Sequence, residues 1–118
     1  MLADTRIGLE ARNPLANRMR RWSVEIGQDL LGVWLVDVEF GRIGSKGRRL
    51  QHAFSDEPAA QAYVAPALRR RATAPIRIGV AYHCVHSSLA AQDLVSRAGI
   101  AMATTRGSYD NPRLPCRT

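Results

Sequence analysis

Trp34-Leu35-Val36-Asp37-Val38-Glu39-Phe40, running straight into Gly41-Arg42-Ile43-Gly44-Ser45-Lys46-Gly47-Arg48-Arg49, decides the fold. The first seven residues alternate. Trp34, Val36, Val38 and Phe40 lie on one side of an extended chain and Asp37 and Glu39 on the other, which is the period of a half-buried strand. The next stretch breaks that pattern. Gly41, Gly44 and Gly47 stand three apart, and glycine takes φ > 0 without steric cost, so the spacing suits a tight, irregular hairpin connection. Arg42, Lys46, Arg48 and Arg49 share this stretch with no carboxylate. A glycine turn flanked by cations can form an anion-binding nest reinforced by charge-assisted hydrogen bonds. Its bland counterpart is a solvated hairpin tip.

Outward from this segment the alternation recurs. Trp22, Val24 and Ile26 alternate with Ser23 and Glu25. Gly27-Gln28-Asp29 has turn chemistry, and Leu30 and Leu31 form a hydrophobic corner before Gly32. Leu50, His52 and Phe54 alternate with Gln51 and Ala53. Strands at 22–26, 33–40 and 49–54 joined by short turns imply an antiparallel meander. Ser55-Asp56-Glu57-Pro58 opens a helix, with Ser55 as cap, acids at the positive dipole end and Pro in the first turn. Helical spacing of Ala59, Ala62, Tyr63 and Ala67 predicts a helix over 56–65, kinked or ended by Pro66. Arg69-Arg70-Arg71 suits a helix C-terminus, and Ile76, Ile78 and Val80 suggest a short fourth strand. The expected class is α+β: a small antiparallel sheet packed against one main helix, with a C-terminal helical and irregular tail.

Three regions follow. Residues 1–20 read as an extended N-terminal arm, laid on the sheet through Leu9 and Leu15. Residues 21–82 form the domain. Residues 83–118 form a tail, with a helix over Ser88–Ala98 stopped by Gly99. Residues 104–118 are expected to lack regular structure.

The chain has 118 residues and a formal net charge of +7. Lys46 is the only lysine; the other sixteen cations are arginines. Arginine forks match phosphate and carboxylate geometry, and a basic chain favours an acidic partner. A GC-rich genome would produce the same arginine excess. Cys84 and Cys116 are the only cysteines, too few for a disulfide framework. The first twenty residues contain no continuous apolar stretch, so no signal peptide is expected. No segment approaches the roughly 20 apolar residues of a membrane span. These features predict a cytoplasmic protein with free thiols and no membrane partner.

The quoted turn also carries a resemblance. An aromatic followed by Gly-Arg-Ile-Gly-Ser-x-Gly, here Phe40 to Gly47, resembles the signature of the WGR domain. Leu9-Glu10-x-Arg12-Asn13-Pro14-x-Ala16-Asn17, Met19-x-Arg21-Trp22 and Asp29-Leu30-Leu31-Gly32-x-Trp34 are similar to bacterial stand-alone members. Phe54 with the Ala-rich stretch after it, and Tyr82, resemble the later part. The likeness spans residues 9–82 and is more specific in its first half. The basic run usual before the final Gly-Tyr is replaced by Arg77-Ile78-Gly79-Val80-Ala81-Tyr82. In the poly(ADP-ribose) polymerases this domain contacts DNA near a break, its Trp against the nucleic-acid end and its Arg on the backbone. The resemblance carries those roles to Phe40 and Arg42. Phe keeps an apolar face for stacking and lacks the indole N–H donor. Phe40 also fits a plain core role, because it continues the face of Trp34, Val36 and Val38.

Other constellations are weaker. Arg69, Arg70, Arg71 and Arg77 form a second basic cluster, relevant to phosphate only if it shares a side with the glycine turn. His83-Cys84-Val85-His86 falls short of a zinc ligand set, so no metal is expected. Ser87-Ser88 beside His86 has no orienting acid, so neither catalysis nor a cofactor is expected. The expected function is a non-catalytic nucleic-acid-binding module, with DNA as the favoured partner. Its contacts are Phe40, Gly41, Arg42, Gly44, Lys46, Gly47, Arg48 and Arg49. The alternative is a protein–protein adaptor.

Overall fold

The computed structural model describes residues 2–75 and 79–101. Strands β1 (Leu2–Asn13), β2 (Arg18–Gln28), β3 (Trp34–Arg42) and β4 (Arg48–Phe54) come first. Helix α1 (Glu57–Ala72), strand β5 (His83–Ser87) and helix α2 (Gln92–Ala98) follow. The five strands form one sheet in the order β4-β3-β2-β1-β5, every neighbour antiparallel. The class is therefore α+β, as expected, and β2, β3 and β4 are the predicted meander.

Register explains why one face is dry. Trp22 lies opposite Phe40, Val24 opposite Val38 and Ile26 opposite Val36. On the other side of β2, Leu9 faces Trp22, Ile7 faces Val24 and Thr5 faces Ile26. Because side chains alternate across a strand, these residues share one face, and all but the half-buried Phe40 are buried. Ala60, Val64 and Leu68 of α1 and Val95 of α2 close over them. The opposite face carries Arg21, Glu25, Asp37, Glu39 and Arg49.

Several local expectations change. Residues 2–13 are extended, but as a strand inside the sheet rather than an arm laid on it. Leu9 is buried, whereas Leu15 stands fully exposed in the 3-10 turn Pro14–Ala16. Asp56, not Ser55, caps α1; its Oδ1 accepts from the Ala59 N–H at 2.8 Å. The helix runs through Pro66 to Ala72. Its apolar stripe continues past the proline to Leu68, and burying Val64 and Leu68 contributes about 1.5–3 kcal/mol each. That offsets the roughly 3 kcal/mol cost of an interior proline, whose ring here faces solvent.

Leu30 and Leu31 project into water rather than forming a corner. Their turn is held by Asp29, whose Oδ1 accepts from Leu31 N–H at 2.8 Å and Val33 N–H at 3.0 Å. The tail up to residue 101 is part of the fold, because β5 pairs with β1. Helix α2 ends, as predicted, at Gly99 in the left-handed conformation, φ 81°. Cys84 is buried and disulfide-bonded, which corrects the expected free thiol. The strand expected near 76–80 depends on residues outside those described, as does the 104–118 segment.

Candidate nucleic-acid interface

Where β3 leaves the sheet, Phe40, Gly41 and Arg42 line an open cleft of about 480 Å³ with Arg20, Arg21, Arg70, Arg71 and Tyr82. Five of these eight residues are arginines and none is acidic. Period-2 geometry brings the first members together: Arg20 lies two residues before Trp22 on the same face and pairs across the sheet with Arg42. Helix α1 delivers Arg70 and Arg71 from above. Arg71 is drawn over the sheet by a cation–π contact, its guanidinium carbon 4.8 Å from the centre of the Trp22 ring. The second basic cluster thus shares a side with the glycine turn through Arg70 and Arg71, while Arg77 lies outside the described residues.

The turn itself is built backbone against backbone. A Cβ on Gly41 would stand 2.7 Å from the Gly47 Cα. A Cβ on Gly47 would collide with the Phe40 carbonyl oxygen and approach Arg21 Nη2 to 2.8 Å, and Gly47 has φ +69°. Ser45 donates from its N–H at 3.0 Å and its hydroxyl at 2.8 Å to the Arg42 carbonyl. The Ile43 N–H donates to the Met19 carbonyl at 2.8 Å. Arg21 Nη2 donates to the Ser45 and Lys46 carbonyls at 2.9 and 2.8 Å. Two N–H groups of the turn are therefore spent within the protein and are not free to form a nest.

The remaining expected residues separate. Phe40 is half-buried: it packs against the core and also lines the cleft. Gly44, Lys46 and Gly47 form the exposed turn, and Arg48 is exposed on β4 opposite Phe40. Arg49 points to the other face of the sheet, where Nε and Nη2 clasp the two carboxylate oxygens of Asp37. This hydrogen bond, with the Arg49 positive charge, holds the Asp37 carboxyl below its ordinary range, and the same bond with the Asp37 negative charge pushes the Arg49 pKa up. Arg49 is thereby neutralised and turned away from the cleft. Arg20, Arg21 and Tyr82 line the cleft but were not among the expected contacts; the same-face spacing of Arg20 to Trp22 was the available signal for Arg20.

Among the described residues no cluster of His, Cys, Asp or Glu could hold a metal ion. No described helix is long and apolar enough to cross a membrane.

An open antiparallel sheet with helices on one face and a basic cleft at one end defines a small α+β domain. The WGR domain family matches residues 5–72, more than half of the 118-residue chain, and the chain belongs to that family. No curated protein and no solved structure gives a significant match.

Proposed function

We propose that this cleft binds the phosphate backbone of nucleic acid, with DNA as the partner. The observation that carries the reading is the convergence of Arg20, Arg42, Arg70 and Arg71 around Phe40 with no carboxylate among them. Phosphate contacts account for most non-specific affinity, and arginine forks supply them bidentately. Arg42 is the principal ligand, held rigidly at the end of β3. Phe40 and Tyr82 offer ring surface to a sugar or base. Gly41, Gly44 and Gly47 shape the turn, and Lys46 and Arg48 add charge at its exposed edge. Membership of the WGR family supports the same reading. The module has no catalytic role in this account, and it acts in the cytoplasm on the cell's DNA.

Binding should depend weakly on sequence, because phosphate contacts position rather than specify. Titrating labelled duplex, nicked duplex and single strand at several salt concentrations tests this. Four phosphate contacts predict a log–log salt slope of about −3.6 on duplex. No binding to any of the three at low salt would overturn the reading.

One observation favours the adaptor alternative. Leu30 and Leu31 are presented to solvent on a hydrogen-bonded turn at the end of β3 remote from the cleft. An exposed apolar pair marks a protein contact when a partner is captured through it. A Leu30→Ser, Leu31→Ser double variant that keeps DNA binding and loses a captured protein would assign that tip to a partner.

A further inference from the structure

Arg42 does not reach the cleft unaided. Its Nη2 donates to the Asn17 side-chain oxygen at 2.8 Å and its Nη1 to the Asn17 carbonyl at 3.3 Å. Asn17 sits in the left-handed conformation, φ 55° and ψ 38°, the only described non-glycine residue at positive φ. Asparagine is among the few side chains that tolerate this backbone. The turn leading to it is itself fixed: Asn13 Oδ1 accepts from the Ala16 N–H at 3.3 Å, and the Asn17 N–H donates to the Pro14 carbonyl at 3.0 Å.

From this geometry we infer that Asn17 is the positioning residue of the cleft, holding the Arg42 guanidinium for a phosphate oxygen without cancelling its charge. The inference rests on the proposed nucleic-acid function. A guanidinium has five N–H donors. Asn17 occupies two and leaves three, Nε–H among them, enough for a bidentate contact with an anion. Because the side chain is ordered beforehand, binding need not order it.

A contrast within the same sheet supports the assignment. Arg49 is also held through two nitrogens, but by the Asp37 carboxylate, and on the face away from the cleft. One arginine is clasped by a charged acceptor and neutralised; the other is clasped by a neutral acceptor and keeps its charge. Among the described residues Arg42 has no acidic partner.

Two variants separate orientation from charge. Asn17→Gly keeps the left-handed backbone and removes the side-chain acceptor. It should lower duplex-DNA affinity about 3- to 10-fold, leave the salt slope unchanged, and have no further effect in an Arg42→Ala background. Asn17→Asp keeps the acceptor and adds a charge; it should weaken binding and reduce the salt slope by about one unit. Side-chain ¹⁵N relaxation of Arg42 Nε–Hε, recorded without DNA, should show higher order in the parent than in Asn17→Gly. Equal order in the two would overturn the positioning role alone, whatever the chain binds. Parental affinity in Asn17→Asp, or an undiminished Asn17→Gly effect in the Arg42→Ala background, would overturn it too. Failure of the parent to bind any nucleic acid would instead remove the proposed function, and the inference with it.

Discussion

The Arg71 guanidinium carbon lies 4.8 Å from the centre of the buried Trp22 ring, and this contact joins the end of α1 to the sheet beside the cleft. Trp22 pairs directly with Phe40, so the arginine stacked on one is carried to the other. Removing it should have two effects. Arg71→Ala should cost about 1 kcal/mol of stability, measured by denaturant unfolding, through the lost cation–π contact. It should also reduce the salt slope of DNA binding by about one unit if Arg71 meets a phosphate. Arg71→Lys keeps the charge but loses the planar stack, and should restore the slope more fully than the stability.

The Asp37–Arg49 pair predicts an acid sensitivity. Hydrogen bonding to Arg49 lowers the Asp37 pKa in the folded state. A carboxyl depressed on folding contributes stability above its unfolded pKa, and loses it as pH falls through the folded value. The contribution should be intact at neutral pH, begin to fade near pH 4, the ordinary aspartate value, and vanish below that. Acid titration of unfolding free energy should therefore be flatter below about pH 4 in Asp37→Asn than in the parent. Identical curves would show that the pair carries no linkage.

Glycine is required at position 47 for two reasons and at position 44 for one. Gly44 has φ +88° and open space around it, so Gly44→Ala should cost only about 1–2 kcal/mol for the left-handed backbone. Gly47 adds a collision with the Phe40 carbonyl and crowding of Arg21. Gly47→Ala should destabilise more than Gly44→Ala in thermal unfolding, and should weaken DNA binding by shifting the end of β3.

Much of this architecture was legible because burial on one face imposes period 2. Trp22-Val24-Ile26, Trp34-Val36-Val38-Phe40 and Leu50-His52-Phe54 announce β2, β3 and β4. The same alternation is present at Thr5, Ile7, Leu9 and Ala11, all buried, but Asn13-Pro14 drew that segment toward an arm. β5 has five residues and a register shift against β1, too short and irregular to show a period. The helix outran Pro66 because Leu68 is anchored in a core that sequence alone does not display. In the cleft, Gly41 and Arg42 were readable from the basic glycine turn, and Phe40 from the family resemblance. The arrival of Arg70 and Arg71 depends on where α1 crosses the sheet. The diversion of Arg49 depends on the cross-strand offset that places it within reach of Asp37, and neither has a local signal.

The central claim is that the cleft around Arg42 binds nucleic acid through its phosphates. The most direct measurement is the affinity of parent and Arg42→Ala for duplex DNA across a series of salt concentrations, with unfolding curves to confirm that both are folded. The account predicts a loss of about 1.5–3 kcal/mol, roughly 10- to 100-fold, for a hydrogen bond to a charged group, and a salt slope shallower by about one unit. A folded Arg42→Ala protein that binds as tightly as the parent, with the same salt slope, would contradict it.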